Sequence, residues 1–170
     1  MSAPCRLIRD AIFDSAKHAG LSPVKEVHAV ANSLTRPGDI FLQNWQGKHT
    51  SFDVAITLPL SKTSLPQSHK SAGAALLSMK SNKNHKHFRA CQLNGVAFVP
   101  LVVKTLGGWD QDAIFHLRAI AKQASTRSLS ESETVCRQLF QRLSVLLKHA
   151  NAGLIASRAP PPPSPHIIGV

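Results

Sequence analysis

The most apolar stretch of the chain is the run Val96–Val103, which reads VAFVPLVV. A run of this length and composition predicts a strand that is buried on both faces of a sheet. Such a sheet needs helices on each side, so this one segment favours a layered α/β fold. Pro100 has no amide hydrogen to donate to a neighbouring strand, so we expect it at a bulge or near the sheet edge.

Two further strands are predicted before this run, at Asp39–Leu42 and Ser51–Leu58. Polar residues 44–49, including Gly47, lie between them and predict a hairpin turn. In the second strand, alternation places Phe52, Val54 and Ile56 on one face, and Asp53, Ala55 and Thr57 on the other.

Apolar residues spaced by three and four predict helices over residues 5–18 and 72–92, then from Asp110 and from Ser130. Asp110 is expected to cap its helix, and Ser130 with Glu133 forms a capping-box pattern. Residues 24–31 predict a short strand or an extended lead-in, and residues 61–71 a mobile loop. The predicted fold class is therefore α/β, a small mixed sheet flanked by helices.

A length of 170 residues corresponds to about one domain. We assign it to residues 1–157, followed by a proline-rich, disordered tail at 158–170. Three widely spaced cysteines provide neither a disulfide framework nor a zinc motif, which indicates a reducing compartment. No signal peptide and no membrane-spanning run is recognisable, so we expect the nucleus or the cytoplasm, and no membrane partner.

The chain is strongly basic, with 20 Lys and Arg against nine Asp and Glu and a formal net charge of +11. This excess favours a polyanionic partner, DNA or alternatively RNA, because neutralising phosphates releases counterions. In the predicted helix over 72–92, basic side chains recur every three residues and are expected near one face as phosphate contacts: Lys80, Lys83, Lys86 and Arg89. His85 and His87, in the same segment, are expected on the surface rather than as zinc ligands.

Two of the few acidic residues lie on the predicted hairpin. Asp39 begins its first strand and Asp53 lies in its second, so the two carboxylates can converge at one end of the sheet. Two carboxylates completed by waters and a phosphate oxygen are a ligand set that Mg²⁺ accepts. The alternative is structural: Asp39 as a turn residue after Pro37–Gly38, and Asp53 as a solvent-facing strand residue.

Four ordered segments resemble a known family. Arg36–Leu42 (RPGDIFL) and Phe52–Leu60 (FDVAITLPL) resemble the R-P-x-D and D-V-T-V segments that follow the reverse transcriptase in LINE-type retrotransposons. Phe98–Trp109 (FVPLVVKTLGGW) resembles a segment that usually reads F-x-P-L-x-x-E-T-L-G-G-W. Leu139–Val145, followed by Asn151–Ala152, continues the likeness, and so does Lys25–Glu26 near the start.

The resemblance implies a restriction-endonuclease-like, PD-(D/E)XK core whose hairpin carries the acids. On that basis Asp39 and Asp53 would bind Mg²⁺ or Mn²⁺, and Glu26 would be an auxiliary acid. Lys83 would supply the catalytic lysine from the helix after the hairpin, since Ala55 stands at its usual position. The expected activity is metal-dependent hydrolysis of a phosphodiester, which nicks DNA.

Two positions depart from the family pattern. Lys104 stands where relatives commonly have Glu, and Lys80 replaces another acid. Together with Ala55, these changes favour an alternative, a catalytically inactive, basic nucleic-acid-binding module or a relic fragment of an element. A third alternative is a protein-interaction domain that uses the proline tail.

Overall fold

A computed structural model describes residues 3–26, 38–62 and 64–158 of the chain. These residues contain four strands and five helices. In chain order they are α1 (Ala3–His18), β1 (Val24–Lys25), β2 (Ile40–Trp45), β3 (Lys48–Thr57), α2 (Leu65–Ser68), α3 (Ala74–Leu93), β4 (Val96–Lys104), α4 (Gln111–Ser128) and α5 (Ser132–Ala156). The predicted turn segment at 32–37 and the proline-rich residues 159–170 lie outside the described residues.

The four strands form one mixed sheet in the order β1-β2-β3-β4. The first three strands pair antiparallel, whereas β4 runs parallel to β3. A parallel neighbour requires a crossover connection, and α2 and α3 provide it. The expected small mixed sheet flanked by helices is therefore confirmed. β4 lies at the edge of the sheet, where Pro100 is tolerated, as predicted.

The β2–β3 hairpin closes more tightly than the sequence predicts. Trp45 pairs directly with Lys48, so only Gln46 and Gly47 form the turn. Both have positive φ values, 50° and 83°, as a two-residue hairpin turn of this hand requires. The register is irregular between Leu42 and Trp45, where Asn44 also has a positive φ.

The two faces of the sheet are covered by different helices. Phe52 and Val54 of β3 face a core built with α1, α4 and α5, whereas Ala55 faces α3 and packs with Leu76 and Val102. The predicted alternation along β3 is confirmed. β4 is also buried on both sides, since Leu101 and Val103 join the larger core and Val102 joins the smaller one.

The helix ends agree with the sequence at one site and differ at another. Asp110 caps α4 as predicted and accepts a hydrogen bond from the Asp112 amide at 3.1 Å. The capping box at Ser130 is wrong, because Glu131 is the N-cap residue of α5. Leu129 adopts a left-handed conformation, and the Ser130 amide then donates to Ser125 O, so Ser130 completes the end of α4.

The segment over 61–71, predicted as a loop, contains the one-turn helix α2. Of the residues 24–31 that were predicted as a short strand or an extended lead-in, Val24–Lys25 form the strand β1, and 27–31 lie outside the described residues. Within the described ranges, no helix is long and apolar enough to cross a lipid bilayer.

Candidate metal centre

Asp39 lies at a bend immediately before β2. Its amide donates to Phe52 O at 2.7 Å, and its side-chain Oδ2 accepts a hydrogen bond from the Val54 amide at 2.8 Å. The preceding residue, Gly38, lies so close to β3 that a Cβ atom at this position would collide with the Ser51 side chain and Phe52 O. The chain is therefore pressed against β3 here, and the Asp39 carboxylate is held in place by a β3 amide.

Asp53 lies on β3, on the face covered by α3. Its side chain is only 10% exposed, and Lys83 Nζ of α3 lies 2.7 Å from its Oδ2. The approach of the ammonium group is outside hydrogen-bond geometry, so Oδ2 is buried without a hydrogen-bond donor from the described residues. The oxygen is thus in ionic contact with Lys83 but accepts no hydrogen bond from the described residues, so a divalent ion that displaced Lys83 could bind there.

Asp39, Asp53 and Lys83 line one cavity of about 390 Å³. Ile40 pairs with Phe52 in the antiparallel register, so Asp39 and Asp53 are opposite each other at the next position. The helix α3 brings Lys83 close to Asp53. The structure thus brings together three of the predicted site residues. The remaining lining comes from α1, β3 and α3: Cys5, Val54, Ala55, Ile56, Met79, Lys86 and His87.

The electrostatics of the cavity disfavour two free negative charges. Burial raises the pKa of Asp39 to about 6, and the negative charge of Asp53 adds to the rise. The hydrogen bond from the Val54 amide acts to lower this pKa. The positive charges of Lys83 and Arg9 also act to lower it but do not cancel the rise. A buried carboxylate whose pKa is raised by burial and by a second acid beside it would be stabilised in its charged form by a bound cation.

Glu26 follows β1, and its amide donates to Asp39 O at 3.1 Å. Its carboxylate, however, contacts Arg9 Nη1 of α1 at 2.7 Å and does not line the cavity. The backbone of Glu26 is therefore beside Asp39, whereas its side chain binds the arginine that lies near the site.

The four basic residues of α3 occupy different environments. Lys80 forms ion pairs with Asp110 at 3.1 Å and Asp112 at 2.6 Å. Hydrogen bonds and charge from these acids raise the pKa of Lys80, although burial alone would lower it. Lys83 pairs with Asp53, while Lys86 and Arg89 are exposed. The four side chains therefore do not form one free basic face.

His87 is a cavity residue that the sequence reasoning placed on the surface, and that prediction is wrong. The residue is only 8% exposed, and its ring centroid lies 5.5 Å from that of Phe98. Burial lowers its pKa, which favours the neutral imidazole. His87 follows Lys83 by one helical turn, a spacing that could have placed it beside the catalytic candidates.

Ala55 and Lys104, two positions at which the chain differs from the sequence pattern that it resembles, have identifiable local contacts. Ala55, at the usual lysine position, packs against Leu76 and Val102 in the smaller core. Lys104, at the end of β4, donates a hydrogen bond from Nζ to Ala72 O at 3.0 Å. Ala55 lines the cavity and Lys104 does not, so both lysines of the cavity, Lys83 and Lys86, come from α3 and none comes from β4.

Among the described residues, no three His, Cys, Asp or Glu side chains form an arrangement that could hold a metal ion by themselves. Any ion at this site would have Asp39 and Asp53 as its carboxylate ligands and would rely on water or substrate for the others. Comparison of the chain with protein-family models and with curated proteins finds no match.

Proposed function

We propose that this chain is a metal-dependent DNA endonuclease module of the PD-(D/E)XK type, derived from a LINE-type retrotransposon. The observation that carries the proposal is the convergence of Asp39, Asp53 and Lys83 on one cavity. These residues come from three separate parts of the chain, a bend, a strand and a helix.

The topology supports a restriction-endonuclease-like core. An antiparallel hairpin, β2–β3, carries the acids, and a helical crossover leads to a strand parallel to β3. This arrangement leaves one end of the hairpin open beside α3. A site built there combines rigid strand positions for the acids with a helix position for the lysine.

The acids fit Mg²⁺ or Mn²⁺ as the proposed cofactor. Asp53 has a buried oxygen without a hydrogen-bond donor from the described residues, and the charge of Asp53 helps to raise the pKa of Asp39. Mg²⁺ commonly takes one or two carboxylates and keeps several waters. A bound ion of this kind would lower the pKa of a water ligand and offset charge on the scissile phosphate.

The side chains around the acids have distinct proposed roles. The Val54 amide fixes the orientation of Asp39. Lys83, which already contacts Asp53, would turn toward the substrate to orient the attacking water and offset the developing negative charge. Lys86 and Arg89, both exposed on α3, would contact DNA phosphates.

Two predicted residues take indirect roles in this proposal. Glu26 holds Arg9, whose positive charge acts to lower the pKa of Asp39, so it would support the site as an auxiliary acid. Lys80 is occupied by Asp110 and Asp112, so it would hold α3 against α4 instead of contacting phosphate.

Nicking of supercoiled plasmid in Mg²⁺ or Mn²⁺ tests the proposal. We expect open circles with the native chain and a loss of rate of about a thousand-fold with Asp53→Asn, because several kcal/mol of metal-dependent stabilisation disappear. Asp110→Asn is the matched control, since it removes an equally buried charge but keeps a good N-cap residue. Equal nicking by both variants would refute the assignment of Asp53.

A second candidate function is nucleic-acid binding without cleavage. The specific observation in its favour is the 2.7 Å contact between Lys83 and Asp53, which places a cation on the acid where a metal would bind. DNA binding that weakens steeply with salt, together with no nicking in either metal, would select this candidate.

A further inference from the structure

A separate groove of about 1010 Å³ runs between α4 and α5. Its lining residues recur at intervals of one to four positions that keep them on one face of each helix, so one face of α4 and one face of α5 form its two walls. They are Gln111, Ile114, Phe115, Arg118, Ala119 and Lys122 from α4, with Ser132, Glu133, Cys136, Arg137 and Phe140 from α5. None of these residues lines the Asp39–Asp53 cavity.

Each wall of the groove contributes an aromatic ring. Phe115 of α4 is 58% exposed, which is unusual for a phenylalanine that could have packed in the core. Phe140 of α5 is half-buried and packs against the larger core. The groove therefore has one ring anchored in its wall and one ring open to solvent.

The exposed charges along the groove are mainly positive. Arg118, Lys122 and Arg137 are exposed, and none of them forms an ion pair with a described residue. Arg118 and Lys122 are one helical turn apart, about 6 Å along the helix axis. The single acid, Glu133, lies in the first turn of α5, at one end of the groove.

We propose that this groove binds single-stranded DNA. Cations spaced along a groove neutralise successive phosphates, and exposed aromatic rings stack on unpaired bases without regard to their sequence. A duplex would keep its bases stacked and could not use Phe115. The choice of DNA over RNA rests on the proposed nicking function, because a nick lets one strand separate from its complement.

Fluorescence anisotropy with a labelled 20-nucleotide oligo-dT, in EDTA so that no cleavage occurs, tests the groove directly. We expect Phe115→Leu to weaken binding about ten-fold and Phe115→Trp to preserve it, because stacking on one base is lost or retained. Arg118→Ala and Lys122→Ala should each reduce the salt dependence, log Kd against log salt concentration, by about 0.7. Lys148→Ala, at the far end of α5, is the charge-matched control and should change binding less.

Several results would overturn this assignment. Equal affinity of the native chain and Phe115→Leu for oligo-dT would do so, and so would tighter binding of a matched duplex or of oligo-U. Polyglutamate binding as tight as that of oligo-dT would assign the groove to an acidic polypeptide instead. Self-association abolished by Phe115→Leu would assign it to a second copy of the chain. Because binding is measured in EDTA, a failure of nicking with normal oligo-dT binding would refute only the proposed nuclease.

Discussion

Two buried aspartates, Asp53 and Asp110, each face a lysine of α3, yet their surroundings differ. Their side chains are 10% and 7% exposed, and the lysines approach at 2.7 and 3.1 Å. Asp110 Oδ2 accepts hydrogen bonds from the Asp112 amide and from Lys80 Nζ. Asp53 Oδ2 has no such donor from the described residues and lies on a cavity that it shares with a second acid.

The difference separates an acid that stabilises the fold from an acid available to a ligand. Hydrogen bonds compensate the burial of Asp110, which caps α4. Among the described residues, Asp53 Oδ2 is offset by the charge of Lys83 and by no hydrogen bond, and Asp39 adds a second carboxylate beside it. Residue type and burial alone would not distinguish these sites, whereas the hydrogen-bond partners do.

The two lysines should differ most in catalysis. We expect Lys83→Ala to lower the nicking rate about 100-fold, because it removes a charge aimed at the developing negative charge. Lys80→Ala should leave the rate nearly unchanged and lower the free energy of unfolding by about 1 kcal/mol, because it breaks partly exposed ion pairs. Plasmid nicking and urea denaturation of both variants measure the two effects.

The comparison of the lysines fails if Lys80→Ala slows nicking as much as Lys83→Ala does without unfolding the chain. In that case α3 would contribute both lysines to substrate binding. Lys83→Arg, which keeps the charge with another geometry, helps to separate charge from position.

We expect Asp39→Asn to raise the melting temperature of the chain modestly at alkaline pH. The pKa of Asp39 is about 6 in the folded chain against an ordinary 3.8, so the folded state holds the proton more tightly than the unfolded state. Ionisation therefore costs stability as pH rises from about 4 to above 6. In EDTA we expect Asp39→Asn to melt about 2–4 °C above the native chain at pH 8, with the difference vanishing near pH 4.

Asp112→Asn is the control for this pH experiment. Its side chain is 59% exposed and pairs with Lys80, so its removal should give no gain at pH 8. A constant difference between Asp39→Asn and the native chain from pH 4 to pH 8 would show that Asp39 ionises normally.

The sequence could predict that Asp39 and Asp53 lie near each other, because the two strands of a hairpin run antiparallel. Residues at equal distances before and after the turn are therefore opposite each other. It could also predict that β4 is buried on both sides, since its eight-residue run has almost no polar position. The alternation along β3 then predicted which face carries Asp53. These features depend on local periodicity and on the pairing of neighbouring strands.

The environments of the α3 side chains could not be predicted in the same way. A spacing of three residues moves each basic side chain about 60° around a helix, so Lys80 and Arg89 point in opposite directions. Which side of α3 meets the sheet depends on long-range packing, and that packing buries His87 and directs Lys80 to Asp110. Ser130 was misassigned for a related reason, because a left-handed Leu129 moved the start of α5.

Direct titration of Mn²⁺ into the native chain, followed by calorimetry, tests the central assignment without requiring cleavage. We expect one ion per chain, lost in Asp53→Asn and in Asp39→Asn but retained in Asp110→Asn. Retention of the ion in both Asp39→Asn and Asp53→Asn, or its absence from the native chain, would contradict a metal centre at these two acids.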